Sequence, residues 1–196
     1  MKKKPLIIQM KVVINLQLKN AIILAAGASE RLGQPKALVE INGETLTQII
    51  IKKLKKHNLN ITIVTRSNLE QDIKSFGEKV VINPTPENGR TGSIQCGLKE
   101  IKGQRCIIVP IDRPGFSDMT LERLIKSETT TCPSKNGKGG HPVTLTKEDC
   151  DRILSSESST PLRDLINPLK IEVDDEYLHL NIDFPEDINI LKNMMK

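Results

Sequence analysis

The stretch AIILAAGASERLGQPK, residues 21–36, decides how the chain begins to fold. It runs from an apolar segment into small residues and then into Arg31, Gly33, Pro35 and Lys36. A short apolar run bounded by glycine is typical of a buried strand that turns into a loop or a helix. The residues alone leave two interpretations open: a cradle for phosphate, or an ordinary turn whose glycines relieve backbone strain.

Similar runs rich in Ile and Val recur along the chain, with helical patterns between them. Buried strands are predicted at residues 21–25, 61–65, 80–82 and 106–111, and helices at 68–76, 92–101, 117–127 and 185–194. This alternation predicts an α/β fold with a mainly parallel sheet. A further helix is predicted from an apolar face that consists of Leu46, Ile49, Ile50 and Leu54. The lysines of this helix are interpreted as a solvated surface; they are Lys52, Lys53, Lys55 and Lys56.

The region after residue 128 has a less regular pattern. A strand at 129–132, a glycine-rich loop at 136–141, a strand at 142–146 and a helix from Lys147 are predicted. Residues 171–173 and 178–181 are interpreted as a hairpin. The sequence contains no internal repeat and no low-complexity linker, so we expect a single domain over residues 21–196.

The amino-acid composition limits the classes of molecule that the protein is expected to bind. With no Trp and one Tyr, the core must be aliphatic, and stacking platforms for single-stranded nucleic acid are not expected. The net charge is +5, and residues 1–20 carry five lysines and no acid. Subtracting those lysines from the 29 basic residues leaves 24, which equals the number of acidic residues. A broad basic face for nucleic acid is therefore not expected, and any anion site must be local.

Residues 1–20 resemble a signal peptide only superficially, because polar residues interrupt the apolar stretch and no cleavage site follows. We interpret them as a dispensable N-terminal extension, with Met10 as an alternative start. No apolar run reaches the roughly 18 residues of a membrane span, so a cytoplasmic protein without a membrane partner is expected. The cysteines, which lack the spacing of zinc ligands, are interpreted as free thiols: Cys96, Cys106, Cys132 and Cys150.

Candidate site residues follow the predicted strands, because ligands of open parallel sheets bind beyond the carboxyl ends of the strands. Gly27 and its small neighbours would let the backbone approach a nucleotide, and Arg31 and Lys36 supply positive charge for phosphate. The loop matches neither the Walker A pattern nor the Gly-x-Gly-x-x-Gly pattern.

Asp112 and the segment 88–93 each allow two interpretations. Asp112 follows a strand and suits a magnesium ion, but it also suits a Pro-Gly turn that it would close through its own backbone. The segment 88–93 enters a helix whose free N–H groups suit a nucleotide, although Thr91 or Ser93 would equally serve as a helix cap.

Five motifs together resemble the MobA-like NTP transferase family, in the branch that contains molybdenum-cofactor cytidylyltransferases. They are Leu24-Ala-Ala-Gly-x-Ser-x-Arg-Leu-Gly-x-Pro-Lys36, the segment from Asn83 through Gly92-Ser-Ile-Gln-Cys-Gly-Leu98, Asp112-Arg-Pro114, Gly140-His-Pro-Val143, and Asn181-Ile-Asp-Phe-Pro-Glu-Asp187. The resemblance implies a single-domain, Rossmann-like three-layer α/β/α fold with a mainly parallel, mixed sheet, of the nucleotide-diphospho-sugar transferase type.

The resemblance also assigns roles. Catalysis would fall to Arg31, Lys36 and Asp112, and Asp112 with Asp183 would hold Mg²⁺. His141 would contact the acceptor substrate. Arg113 departs from the Gln that is common in this branch, and its role stays open. Nucleotide binding would involve Leu24, Ala25, Ala26, Gly27, Arg31, Lys36, Gly92 and Ser93.

Asp183 has a competing reading, because Pro185, Glu186 and Asp187 also mark the start of a helix. We assign Asp183 to the metal and Glu186 and Asp187 to helix initiation.

The implied reaction is transfer of CMP from CTP to the terminal phosphate of molybdopterin cofactor, with release of pyrophosphate. A phosphate monoester with a second pKa of about 6 is largely dianionic at neutral pH, so no dedicated base is required. CTP is inferred from Ala26, where guanylyltransferases of the superfamily typically carry Gly. The alternatives are a guanylyltransferase, a sugar- or polyol-phosphate nucleotidyltransferase, and a non-catalytic nucleotide-binding module. A molybdoenzyme or its chaperone is the expected protein partner.

Overall fold

An eight-stranded mixed sheet forms the centre of the computed structural model, which describes residues 18–194. The strands of this sheet are β1 (Asn20–Leu24), β4 (Asn60–Thr65), β5 (Lys79–Ile82), β6 (Cys106–Pro110), β7 (Thr131–Lys135), β8 (Lys138–Gly139), β9 (Val143–Leu145) and β10 (Leu169–Glu172). Their order is β10-β7-β9-β6-β1-β4-β5, and β8 pairs with β7. A separate two-stranded ribbon consists of β2 (Glu40–Ile41) and β3 (Glu44–Thr45).

The described part of the chain contains seven α-helices, six of which lie between strands while the seventh follows the last strand. They are α1 (Leu46–Lys55), α2 (Glu70–Lys74), α3 (Arg90–Glu100), α4 (Asp118–Lys126), α5 (Lys147–Leu154), α6 (Leu162–Leu165) and α7 (Pro185–Met194). Within residues 18–194, none of them has the length and apolarity that crossing a bilayer requires. The predicted helices are present to within a few residues, and so are the predicted strands except the segment 178–181.

β1 lies between two parallel neighbours. Leu24 at its end is in register with Val64 of β4 on one side and with Pro110 of β6 on the other. The chain builds β4 and β5 on the first side of β1 and then returns through α3 to place β6 on the second side. The crevice between the carboxyl ends of β1 and β6 is therefore the point at which strand order reverses, where such sheets bind ligands.

Helices cover both faces of the sheet. Ala21 and Ile23 of β1 belong to one buried cluster, which includes residues of α1, α4 and α7. Ile22 and Leu24 belong to a second cluster, with residues of α3 and α5. Because successive side chains of a strand point to opposite faces, the two clusters are the two sides of a three-layer α/β/α molecule. The predicted fold class is confirmed.

The lysine surface predicted on α1 is only partly correct. Lys52, Lys55 and Lys56 are exposed, but Lys53 is half-buried. Its ammonium group donates to the carbonyl oxygens of Pro114 at 3.1 Å and Phe116 at 2.6 Å and lies 4.7 Å from the Phe116 ring centroid. Lys53 therefore fastens α1 to the loop that follows β6.

The predicted hairpin between residues 171–173 and 178–181 is wrong. β10 instead pairs in parallel with β7, and Leu169 lies opposite Thr131. Residues 176–179 form a turn, and the buried Leu178 packs against Gly140, where an added Cβ would lie 2.9 Å from its Cγ. The apolar pattern predicted correctly that Leu178 is buried, but a turn buries this side chain as well as a strand would.

Two other predictions concern the chain start and the thiols. Residues 1–17 of the predicted extension, Met10 included, lie outside the described residues. Leu18 is buried and Asn20 already begins β1, so the last residues of that extension belong to the folded unit. All four cysteines are free; Cys96 is half-buried and the other three are buried.

Candidate functional site

A cavity of about 410 Å³ opens beside the carboxyl ends of β1 and β6. Four cationic side chains and two carboxylates are among its lining residues. This composition gives the cavity an excess of positive charge in a molecule whose predicted domain is formally neutral. Most of the predicted site residues line it, namely Leu24, Ala25, Ala26, Gly27, Arg31, Lys36, Ser93, Asp112 and Asp183.

The loop after β1 forms one wall of the cavity. The Ala25 N–H donates to the carbonyl oxygen of Val64 at 2.8 Å, which holds the start of the loop against β4. Ser29 has a φ of 59°, and its hydroxyl accepts the backbone N–H of Lys36 at 3.1 Å, so the loop folds back on itself. A Cβ added to Gly27 would meet nothing within 4 Å, so the backbone there faces open space.

Lys36 lies between the two carboxylates of the site. Its ammonium group donates to Asp183 Oδ1 and lies 3.4 Å from Asp112 Oδ2. Arg31 forms an ion pair with the other oxygen of Asp183 at 2.9 Å. The loop therefore places two cationic side chains, Arg31 and Lys36, beside the two aspartates that are predicted to bind a metal.

Backbone contacts bring the two carboxylates together. Ile111 donates to the carbonyl oxygen of Leu24 at 3.0 Å, and Ile182 donates to that of Asp112 at 3.0 Å. The strand-like segment before α7 therefore runs beside the loop after β6, although Asp112 and Asp183 are far apart in sequence.

At the start of α7 the contact with the backbone comes from Asp187 and not from Asp183, whose side chain lines the cavity. The Asp187 carboxylate accepts the backbone N–H groups of Asp183 at 2.9 Å and Phe184 at 2.7 Å. Asp187, the third residue of α7, thus binds the backbone of the residues that precede the helix, as the acidic residue of a capping box does. The Asp183 carboxylate accepts from Asn181 Nδ2 as well as from Lys36.

The pKa of Asp183 lies below its ordinary value. Burial alone would raise the pKa, because it disfavours the charged carboxylate. The hydrogen bond from Lys36 and the charges of Lys36, Arg31 and Arg113 outweigh burial and lower it. Asp183 is therefore ionised at neutral pH and can accept a cation.

The donor set suits a magnesium ion. Oxygens of Asp112 and Asp183 both approach one cationic group, the Lys36 ammonium, so they face a common point. Magnesium prefers oxygen ligands and is commonly bound by one or two carboxylates beside substrate phosphates. The described residues contain no cluster of three or more His, Cys, Asp or Glu that could hold a metal, so substrate oxygens and water would have to complete the coordination.

Gly92 and Ser93, both assigned to nucleotide binding, differ in position. Ser93 lines the cavity, but Gly92 is not among the lining residues, and its N–H donates to the Ser158 carbonyl at 3.2 Å. Neither capping alternative describes the start of α3. Gly89 is the N-cap residue without a side-chain bond, Thr91 donates to Thr160 O at 2.6 Å, and Ser93 accepts from Asn83.

His141 is not among the residues that line the cavity, although the sequence assigned it to substrate contact. Its Nε2 lies 3.5 Å from a guanidinium nitrogen of Arg90, which does line the cavity. Burial, followed by the charges of Arg90 and Arg113, lowers the pKa of His141 to about 3. His141 is therefore neutral at physiological pH.

Sequence reasoning assigned no role to Arg90 or Arg113, and both line the cavity. The only signal at Arg113 was that it stands where the resembling cytidylyltransferases commonly carry Gln. Arg90 belongs to the segment 88–93, whose helix entry drew attention to its small residues and not to its charge. The Ser29 hydroxyl was likewise overlooked, because a backbone-binding serine has no signal in spacing.

The family model of the MobA-like NTP transferase domain matches residues 21–174. A molybdenum cofactor guanylyltransferase from Vibrio atlanticus is 33% identical over 126 residues, which cover 62% of this chain and 64% of that protein. The chain thus spans less than two thirds of the length of this curated relative.

Solved structures share the fold. A nucleotidyl transferase from Methanothermobacter thermautotroptrophicus superposes with a TM-score of 0.74 at 19% identity, over 90% of this chain and 97% of that chain. Molybdopterin-guanine dinucleotide biosynthesis protein A from Archaeoglobus fulgidus superposes with a TM-score of 0.68 at 16% identity, over 90% and 98%. At these identities the likeness concerns the fold.

Proposed function

The chain belongs to the MobA-like NTP transferase family, and from this membership we propose that it transfers a nucleoside monophosphate from an NTP to the terminal phosphate of a molybdopterin-type acceptor. Pyrophosphate is the second product. The observation that carries the proposal is the convergence of Lys36, Arg31, Asp112 and Asp183 on one cavity at the switch point of the sheet. A molybdoenzyme or its chaperone would receive the product.

The chain's own residues account for binding and alignment. Arg31 and Lys36 bind the triphosphate, because a guanidinium and an ammonium together neutralise its charge. Asp112 and Asp183 would hold the magnesium ion, which supplies Lewis-acid neutralisation of phosphate charge when bound. The loop after β1 positions the α-phosphorus against the acceptor oxygen, and this alignment lowers the entropic part of the barrier.

The proposal requires no general base. A phosphate monoester is largely dianionic at neutral pH, since its second pKa is about 6, and it attacks without losing a proton. His141, whose pKa of about 3 makes it a weak base, is not needed for proton removal. The absence of a histidine among the lining residues of the cavity is compatible with this chemistry.

We propose CTP as the donor. The argument is Ala26, which lines the cavity and is 4% exposed, at the position where guanylyltransferases of the superfamily typically carry Gly. GTP is the second candidate, because the Vibrio relative is named a guanylyltransferase. A methyl group at this position narrows the space beside the backbone, which favours the smaller base.

Pyrophosphate release with each of the four NTPs, magnesium and molybdopterin cofactor tests the proposal. We expect turnover with CTP. Turnover with GTP alone would show that the donor is GTP and not CTP. Turnover only with sugar phosphates, tested in a parallel panel, would show that the acceptor is not molybdopterin cofactor. Tight CTP binding without turnover on any acceptor would identify a binding module instead of an enzyme.

A further inference from the structure

In the described part of the chain, two arginines of the cavity form no ion pair with the carboxylates that Lys36 contacts. Arg90 and Arg113 line the same cavity as Arg31 and Lys36. Among residues 18–194, neither forms an ion pair with a carboxylate, whereas Arg31 and Lys36 both pair with Asp183. The triphosphate site described above therefore leaves two guanidinium groups without an assigned ligand.

Arg113 is anchored at one nitrogen only. Its Nη1 donates to the His179 carbonyl oxygen at 3.1 Å, which fixes the direction of the side chain. Its Nε is buried and has no hydrogen-bond partner within the described residues. A fixed guanidinium with unused N–H groups is arranged to receive an oxygen-rich ligand.

Unpartnered polar atoms occur on neighbouring residues as well. Within the described chain, His141 Nδ1 and Asn181 Oδ1 are buried without hydrogen-bond partners. His141 contacts Arg90 and senses the charge of Arg113, and Asn181 lines the cavity. Because native proteins satisfy about 90% or more of their buried polar groups, the unpaired donors Arg113 Nε and His141 Nδ1 indicate a missing ligand that carries acceptor oxygens, whereas Asn181 Oδ1 only accepts hydrogen bonds.

The chemistry of this group selects a doubly charged anion. Two guanidinium groups supply two positive charges and forked N–H donors, which match the oxygens of a phosphate bidentately. His141 adds no charge. Since Arg113 directly follows Asp112, a phosphate held by Arg113 would lie beside the residues that bind the reacting triphosphate.

We infer that Arg90 and Arg113, with His141 beside them, form the subsite for the acceptor's dianionic phosphate monoester, an inference that rests on the proposed function. An oxygen of this phosphate forms a new bond to the α-phosphorus of the NTP. The bond from the α-phosphorus to the bridging oxygen breaks, and pyrophosphate leaves with its electron pair. No proton is transferred and no redox partner is needed.

Steady-state kinetics of Arg113→Gln and Arg90→Gln tests the subsite, with Arg163→Gln as a matched control whose side chain is 87% exposed. We expect the KM for the acceptor to rise at least tenfold and the KM for the NTP to stay within twofold. Arg113→Lys should recover part of the loss, because it keeps the charge. A rise confined to the KM for the NTP would place both arginines on the triphosphate and overturn the inference.

A binding measurement separates this inference from the proposed function. Inorganic phosphate is titrated calorimetrically into the full chain saturated with CTP and without added metal. We expect wild-type and Arg163→Gln to bind phosphate and Arg113→Gln to bind it at least tenfold more weakly. Equal phosphate binding by all three would overturn the inference even if turnover is observed. Weaker binding by Arg113→Gln without turnover on any acceptor would overturn only the proposed function.

Discussion

Lys36 places its charge where two carboxylates and a second cation meet. Its ammonium contacts Asp112 and Asp183, and Arg31 reaches Asp183 from another direction. The loop holds this lysine in place, because the Ser29 hydroxyl accepts the Lys36 N–H and Thr47 donates to the next carbonyl, Ala37 O, at 2.6 Å. A charge fixed in this way is ready to meet a phosphate without prior rearrangement of the backbone.

Replacement of Lys36 by Met should reduce kcat/KM by about 10²-fold or more, since a fixed charge beside the transferred phosphate stabilises the transition state. Lys52→Met, on the exposed ion pair with Glu44, is the control and should retain near-normal activity. Pyrophosphate release measures both variants. Near-normal turnover of Lys36→Met would remove this residue from catalysis.

Asp112→Asn should abolish magnesium-dependent turnover and leave the fold intact, because the amide keeps the shape of the side chain but not its charge. Circular dichroism and pyrophosphate release are the two measurements, with the exposed Asp164→Asn as the control. Retained activity would return Asp112 to the role of closing the Pro-Gly turn.

His141 should make folding stability depend on pH. Its pKa falls from an ordinary 6.5 to about 3 in the folded chain through burial and the charges of Arg90 and Arg113. Between these two values the unfolded chain binds a proton that the folded chain does not, so stability is lost as pH falls from 6.5 towards 3. Urea unfolding at several pH values should show a shallower loss for His141→Gln than for wild-type. An identical slope would contradict the assignment.

α3 packs unusually close to the sheet. A Cβ added to Gly97 would lie 2.6 Å from Ile22 Cγ2 and 3.1 Å from Val64 Cγ2, which are buried on β1 and β4. Only a residue without a side chain permits this distance between the helix and the strands. The close approach holds α3, whose first turn carries Arg90 and Ser93, against the sheet.

Gly97→Val should lower the free energy of unfolding by about 1–3 kcal/mol, the usual cost of overpacking a well-packed core. Urea unfolding measures the change. Lys99→Val on the same helix, whose side chain is exposed, controls for the lower helix propensity of valine. Equal stability of the two variants would show that the helix moves away from the sheet at little cost.

Lys53 connects two elements that the sequence shows as independent. Its contacts with Pro114 and Phe116 hold the loop after β6 against α1. Burial lowers the pKa of Lys53, while the charges of Asp118 and Asp175 oppose this change. The helix therefore supports the loop that carries Asp112 and Arg113.

Across the whole molecule, the features that could be predicted from the sequence are those that depend on residues close together along the chain. The strands, the apolar face of α1 and the loop after β1 follow from local periodicity and small residues, and the structure has them. Partners distant in sequence were not readable: β10 beside β7, Lys53 beside Phe116, and Arg90 beside His141. Spacing cannot reveal such contacts, because they are set by topology and side-chain packing.

The pairing of Asp112 with Asp183 came from family resemblance and not from physics. Each aspartate alone fitted a turn or a helix start equally well. The structure places both on Lys36 through the hydrogen bond from Ile182 to Asp112 O. Their role in metal binding stays a prediction, which the Asp112→Asn experiment addresses.

The position of Asp183 along the chain has a consequence for synthesis. Every strand in the described chain ends by residue 172, and the family match ends at residue 174. A nascent chain released to that point contains the complete sheet but only one of the two carboxylates. The stretch after residue 174 therefore completes the charge pattern of the cavity, and it also supplies Ile182 and Leu191 to the buried cluster, so a product truncated there would lose one carboxylate together with part of the core.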